Sequence, residues 1–189
     1  MSTMTMAKAG LWEVTTRVVV YAAIGAALYA ILGLFSPILP GTQDVSIRPA
    51  FALVPFFGFA FGPIVGFFVG YVGNSVIDQA LYGGFFASWE WGIANGLAGL
   101  IAGLAPLYLS SLMNSSISRR AIAGAIAGVV GTVIGFLFVF TDIAIYGYDF
   151  NTVFTGSYLP VIGTNILATV ILVPILVYAW EPLKEQLGR

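Results

Sequence analysis

The sequence has no cysteine and no histidine, and only 8% of its 189 residues are charged. Without Cys there is no thiol nucleophile, no disulfide and no thiolate metal site. Without His there is no Ser-His pair and no HExxH zinc site. Catalysis is poorly served by what remains, and no cofactor or metal is expected. A soluble domain carries about a quarter charged residues, so this chain cannot dress an ordinary water-facing surface. Seven Lys+Arg against eight Asp+Glu leave a formal net charge of −1. That offers no basic stripe for phosphate and excludes a nucleic-acid binder. What is present is apolar: 59% of residues are hydrophobic, and the mean hydropathy is +0.98. The expectation is an integral protein of the cell membrane.

The placement of the charges supports this. Uncharged runs separate Arg17 from Asp44 (26 residues), Arg48 from Asp78 (29), Glu90 from Arg119 (28), Arg120 from Asp142 (21) and Asp149 from Glu181 (31). A membrane helix needs about 20 apolar residues to cross a hydrocarbon core of about 30 Å. A transmembrane barrel would alternate apolar and polar residues, whereas these runs are apolar on all sides. Arg17 to Ala30 resembles a signal peptide, but the apolar stretch continues through Ile31-Leu32-Gly33-Leu34-Phe35. A retained first helix is therefore expected.

The run from Arg48 to Asp78 holds either one long helix or two short ones. Gly62-Pro63 sits near its middle and is a turn signal. Six spans put Lys8, Arg17, Arg119, Arg120, Lys184 and Arg189 in the cytoplasm and leave only Arg48 outside. Five spans scatter them. The positive-inside rule selects six. The expected architecture is all-α: a bundle of six transmembrane helices in a single domain over residues 1–189, with both termini cytoplasmic. The spans fall at roughly 14–36, 47–61, 63–82, 89–111, 119–143 and 157–180. The second reaches only about 22 Å at 1.5 Å per residue, so it must be short, tilted or shielded.

This topology gathers Asp44, Arg48, Asp78, Glu90, Asp142 and Asp149 at the external face, level with Tyr82, Trp89, Trp91, Tyr146 and Tyr148. Interfacial aromatics can form a belt while the acids cap helix ends. The sharper reading is an outward-opening pocket with aromatic walls and a few convergent polar groups. Asn74 and Asp78 are one helical turn apart and share a face of the third span. Ionisable groups inside a span usually face a cavity or a partner. Arg48, just before Pro49, is placed either to pair with Asp78 or Glu90 or to grip an anionic group. Trp89, Glu90, Trp91 and Asn95 head the fourth span, and Trp91 and Asn95 share a face. Asp142, Tyr146 and Asn165 read as loop-end groups. Small residues at Ala22, Ala26 and Ala30, and at Ala23 and Ala27, line the first span. Gly62, Gly66 and Gly70, and Gly124, Gly128, Gly131 and Gly135, repeat the pattern in the third and fifth spans. Such faces let helices approach closely in lipid. For the glycines that means packing within the bundle; part of the first span's face remains for another membrane subunit.

The stretches Ile47-Arg48-Pro49-Ala50, Phe61-Gly62-Pro63-Ile64-Val65-Gly66-Phe67-Phe68-Val69-Gly70, Asn74 to Asp78 and Trp89-Glu90-Trp91-Gly92 resemble the UPF0397 family. So do Gly25-Ala26-Ala27-Leu28-Tyr29 and Leu32-Gly33; residues 18–104 are covered well and the last two spans loosely. UPF0397 proteins are assigned to the substrate-binding S components of energy-coupling factor (ECF) transporters. Members commonly carry His where this chain has Asn74, so a titrating group is missing there. The resemblance implies a six-helix subunit with a vitamin-sized pocket near the external face. It implies a transmembrane coupling protein and two ATP-binding-cassette ATPases as partners, the subunit toppling in the membrane to deliver its ligand. By that likeness Ala22, Ala23, Ala26, Ala27 and Ala30 form the docking face. Arg48, Asn74, Asp78, Trp89, Glu90, Trp91 and Asn95 are the pocket candidates, on their polarity and depth. The alternatives are a stand-alone channel or permease, a membrane enzyme using Asp78 and Glu90, and a ligand-free scaffold. The near-absence of polar groups from the cytoplasmic halves of the third to sixth spans speaks against the first, and missing metal-ligand spacing against the second. The outward bias of charge is unexplained by the third.

Overall fold

A computed structural model describes residues 10–42 and 45–186; Lys8, Asp44 and Arg189 lie outside the described residues. The described chain is helical, with a single isolated antiparallel bridge between Ile38 and Ser46. Helix α1 (Thr16–Gly33) opens on Thr15, whose hydroxyl oxygen accepts from the Val18 N–H at 3.3 Å. This satisfies one of the donors a helix start leaves free. A 3₁₀ turn (Pro49–Ala52) leads into α2 (Leu53–Phe61). Gly62 then takes φ +105°, a conformation open to glycine, and Pro63 starts α3 (Pro63–Tyr82). Helix α3 ends on Gly83 in the left-handed region.

Helix α4 (Trp89–Gly103) stops short of the expected residue 111 and continues as two single turns, α5 (Ala105–Tyr108) and α6 (Ser110–Met113). Pro106 is the reason: it has no N–H to donate and its ring disfavours a helical residue before it. Helix α7 (Ile117–Gly135) runs through a 3₁₀ segment (Phe136–Phe140) into α8 (Thr141–Tyr146) as one 30-residue apolar stretch. A π-helical segment (Thr152–Tyr158) begins the last helix earlier than residue 157, and α9 (Leu159–Gln186) completes it. Four runs are long and apolar enough to cross a membrane: Thr16–Gly33, Pro63–Tyr82, Ile117–Tyr146 and Thr152–Lys184. Pro49–Phe61 is apolar but shorter, and α4 has 15 residues.

Helix α4 sits at the centre, packed by α2, α3 and α7, with α1 against α3 and α9 against α7. Its packing is backbone on backbone. A Cβ on Gly66 or on Gly99 would lie 2.2 Å from the other residue's carbonyl oxygen, and one on Gly70 would lie 2.3 Å from the Asn95 oxygen. On the opposite side, a Cβ on Gly131 would lie 2.3 Å from the Ala98 oxygen. The glycine repeats are thus used inside the bundle, where lipid offers no hydrophobic drive and close packing must serve instead. The alanine stripe of α1 divides differently from the expected docking face. Ala22, Ala26 and Ala30 are buried in the bundle interior, together with Gly25, Tyr29 and Gly33 on the same side. Only Ala23 and Ala27 remain exposed, beside Val20, Ile24, Leu28 and Ile31. Three of the five docking positions are therefore occupied within the chain itself.

Candidate functional site

The bundle has two ends. One holds the Gly62-Pro63 hairpin, the start of α1 and the end of α4, as the approach of Gly62 to Leu11 and of Gly103 to Pro63 shows. The other holds the end of α1, the start of α2, the end of α3 and the start of α4, and Gly33 packs there on Ile77 beside Arg48. The polar candidates meet at this second end.

Pro49 at the first position of its 3₁₀ turn fixes the chain after Arg48 and carries the guanidinium in between α1 and α3. Its Nη1 donates to Asn74 Oδ1 at 3.0 Å and to the Tyr29 hydroxyl at 3.2 Å. Tyr29 donates in turn to Asn95 Oδ1 at 3.0 Å. One turn along α3, Asn74 Nδ2 donates to Asp78 Oδ2 at 3.3 Å. The same Asp78 oxygen accepts the Ser88 N–H at 3.1 Å and the Ser88 hydroxyl, tying the head of α4 to the end of α3. Asn95, opposite Gly70, reaches Asn74 Oδ1 at 3.5 Å and donates to the Trp91 carbonyl at 2.8 Å. Asn74, Asp78, Glu90 and Asn95 are all buried. In low dielectric such a network is strong when complete and costly where incomplete.

It is incomplete at three atoms: Arg48 Nε, Glu90 Oε2 and Asp142 Oδ1 are buried without a hydrogen-bond partner. Arg48 makes no ion pair with Asp78 or Glu90 and reaches Asp78 through Asn74; the ion pair found among the described residues is Arg120–Glu181, 2.9 Å apart at the hairpin end. Half-buried Trp89 and Trp91 flank the cluster, edge-on to Phe138 (6.4 Å) and Phe136 (6.2 Å). All seven pocket candidates thus come to one end. Sequence reasoning passed over Tyr29 and Ser88, which supply two of the network's hydroxyls, and it read Asp142 and Asn165 as loop-end groups although both are buried. Tyr146 is exposed. Outside the spans, Asp149 accepts from the hydroxyl and the N–H of Thr152, which hold its carboxyl below the usual range. Two cavities, of about 260 and 290 Å³, open at the other end, where both touch Phe59, Ala60 and Met113. At the polar end the side chains bond one another.

No metal-holding group of three or more acidic, His or Cys residues occurs among the described residues. Comparison with known proteins fits a polar cluster embedded in apolar helices. Residues 13–180 match the sequence profile of a family described as ECF-type riboflavin transporter, S component. A UPF0397 protein of Streptococcus gordonii is 32% identical over 158 residues, 82% of this chain and 83% of that one. One from Lactobacillus johnsonii is 30% identical over 176 residues, 92% and 94% of the two chains. A UPF0397 protein of Streptococcus thermophilus is 43% identical over a shorter stretch of 88 residues, 47% of each. The resemblance read from residues 18–104 is upheld over most of the chain. The protein belongs to the family of ECF-type riboflavin transporter S components, substrate-binding membrane subunits of transporters and not enzymes.

Proposed function

We propose that this chain captures a small water-soluble vitamin, or a precursor of one, at the external face and delivers it with a coupling protein and two ATPases. In this reading the polar end around Arg48, Asn74 and Asp78 faces outward, the chain crosses the membrane six times, and both termini are cytoplasmic. The observation that carries it is the largely buried network Asn95–Tyr29–Arg48–Asn74–Asp78–Ser88, flanked by Trp89 and Trp91 with unsatisfied polar atoms beside it. Aromatic planes with a few convergent donors and acceptors are the chemistry of a small-molecule site. The exposed side of α1 around Ala23 and Ala27 is the part of the docking face left for the coupling protein.

Equilibrium binding to the detergent-solubilised protein, read by tryptophan fluorescence, tests the site. Riboflavin leads the panel because the family description names it. Saturable binding of one vitamin, weakened at least about tenfold by Arg48→Ala or Trp91→Ala, is expected. Unchanged affinity in both variants misplaces the site. Orientation is tested separately: the chain has no cysteine, so single cysteines at Gly84 and at Ile64, beside the hairpin, report cleanly. Labelling of position 64 from the medium would reverse the topology. Uptake by liposomes holding this chain alone would favour a permease.

A further inference from the structure

Charge does not balance at the polar end. Among the described residues Arg48 is the only Lys or Arg there; Arg17, Arg119, Arg120 and Lys184 belong to the hairpin end. The Arg48 charge acts on Asp78, and the hydrogen bonds through Asn74 join the two. That accounts for one of the three buried carboxylates. Glu90 and Asp142 are 4% and 5% exposed, each has an oxygen with no partner, and each lies within electrostatic reach of the other. Two neighbouring carboxylates buried without a cation are costly, and in a membrane span such groups are kept for a partner.

The surroundings say what that partner is. The ligand set for a metal ion is missing, since no third acidic, His or Cys residue joins the pair. Aromatic rings stand there instead. The Trp91 side chain lies beside Asp142, Tyr146 lies near both Glu90 and Asp142, and Trp89, Phe136 and Phe138 complete the wall. Carboxylates give a positive nitrogen its charge-assisted hydrogen bonds, and indole and phenyl faces attract it through their quadrupoles. A bare metal ion gains little from such rings, and a neutral solute leaves the carboxylates unpaired.

We propose that Glu90 and Asp142 bind the positively charged nitrogen of the transported molecule, so that the substrate is an organic cation carrying an ammonium or a quaternised ring nitrogen. This rests on the receptor reading above and narrows its substrate class. The probes are thiamine, choline and pyridoxamine as cations, with riboflavin and pyridoxine as neutral molecules; pyridoxamine and pyridoxine differ only in an amine for a hydroxyl. Binding is measured to the intact wild-type chain and to Glu90→Gln and Asp142→Asn, which keep side-chain shape, with a thermal melt to establish folding. A cationic probe is expected to bind, its neutral counterparts far more weakly, and each variant to lose about 10- to 100-fold in affinity for it. The wild-type comparison stands even where a variant does not fold. Tight riboflavin binding that ignores both substitutions, with no cation bound, overturns this inference and leaves the receptor reading intact. Binding of no probe overturns both.

Discussion

Gly99→Ala is the substitution that most directly probes how the site is held. The added Cβ would meet the Gly66 carbonyl oxygen at 2.2 Å, its carbon at 2.5 Å and its Cα at 2.9 Å, against ordinary contact from 3.4 Å outward. All three are backbone atoms and have no rotamer to yield, so α3 and α4 must part by about 1 Å. Overpacking of this kind costs about 1–3 kcal/mol. The separation also stretches Asn95 Nδ2 to Asn74 Oδ1, already at 3.5 Å, beyond hydrogen bonding. For a chain of this size about 2 kcal/mol lowers the melting temperature by roughly 4–8 °C. Gly163→Ala is the control: it too lies in a helix, but nothing is within 4 Å of its Cβ position. Alanine there gains up to about 1 kcal/mol of helix propensity, so its melting temperature should hold or rise. The assay is thermal unfolding in detergent, followed by ligand binding on whatever remains folded. A Gly99→Ala protein melting within about 1 °C of wild type, or a Gly163→Ala protein falling as far, would refute the backbone-contact argument.

Three further outcomes follow from the same geometry. Tyr29→Phe removes the hydroxyl that accepts from Arg48 and donates to Asn95, and should cost about 1–3 kcal/mol in the melt while leaving α1 packed. Arg120→Met strands the Glu181 carboxylate, whose side chain is 12% exposed, and should destabilise; adding Glu181→Leu should recover much of the loss, since the desolvated charge goes with it. Asp149 is held low by Thr152, so its contribution is present above the unfolded carboxylate value of about 3.9 and is lost as pH falls through the folded value. Thr152→Val should therefore lower stability at pH 5–7 and converge with wild type in melts at the acid end.

The all-helical class was legible because charge-free runs of 21 to 31 residues leave no other economical fold in lipid. The inward turn of Asn74 and Asp78 was legible for the same reason: a polar pair one turn apart on an apolar helix has nowhere else to go. What escaped is tertiary. Tyr29 looks like one aromatic among many until α1 is docked, although its spacing from Ala22 and Ala26 marks the buried stripe. Ser88 is a plain loop residue until Asp78 lies across from it. Both α1 stripes, at 22/26/30 and at 23/27, have the same composition; only the position of α3 decides which is buried. Asp142 sits near the end of a span and reads as a loop-end group, but α7 runs on through the Phe136–Phe140 segment and carries it inward against Trp91. The extra 3₁₀ turn leaves no strong local signal, since it depends on what the neighbouring backbone can accept, whereas the stop at Gly103 is marked by Pro106.

The glycine contacts and the polar cluster are two consequences of one packing choice. Helices α3 and α4 touch backbone to backbone from Gly103–Pro63 through Gly99–Gly66 to Asn95–Gly70, so no water-wide path runs between them over that half of their length. Beyond Gly70 the small residues give way to Asn74 and Asp78 on α3 and to Glu90 and Trp91 on α4, and the space opened is filled by side chains. The seam gives water-soluble cargo no passage from that end to the other. In the proposed reading, capture is thereby separate from translocation. A closed seam suits a family whose members are the substrate-binding components of transporters.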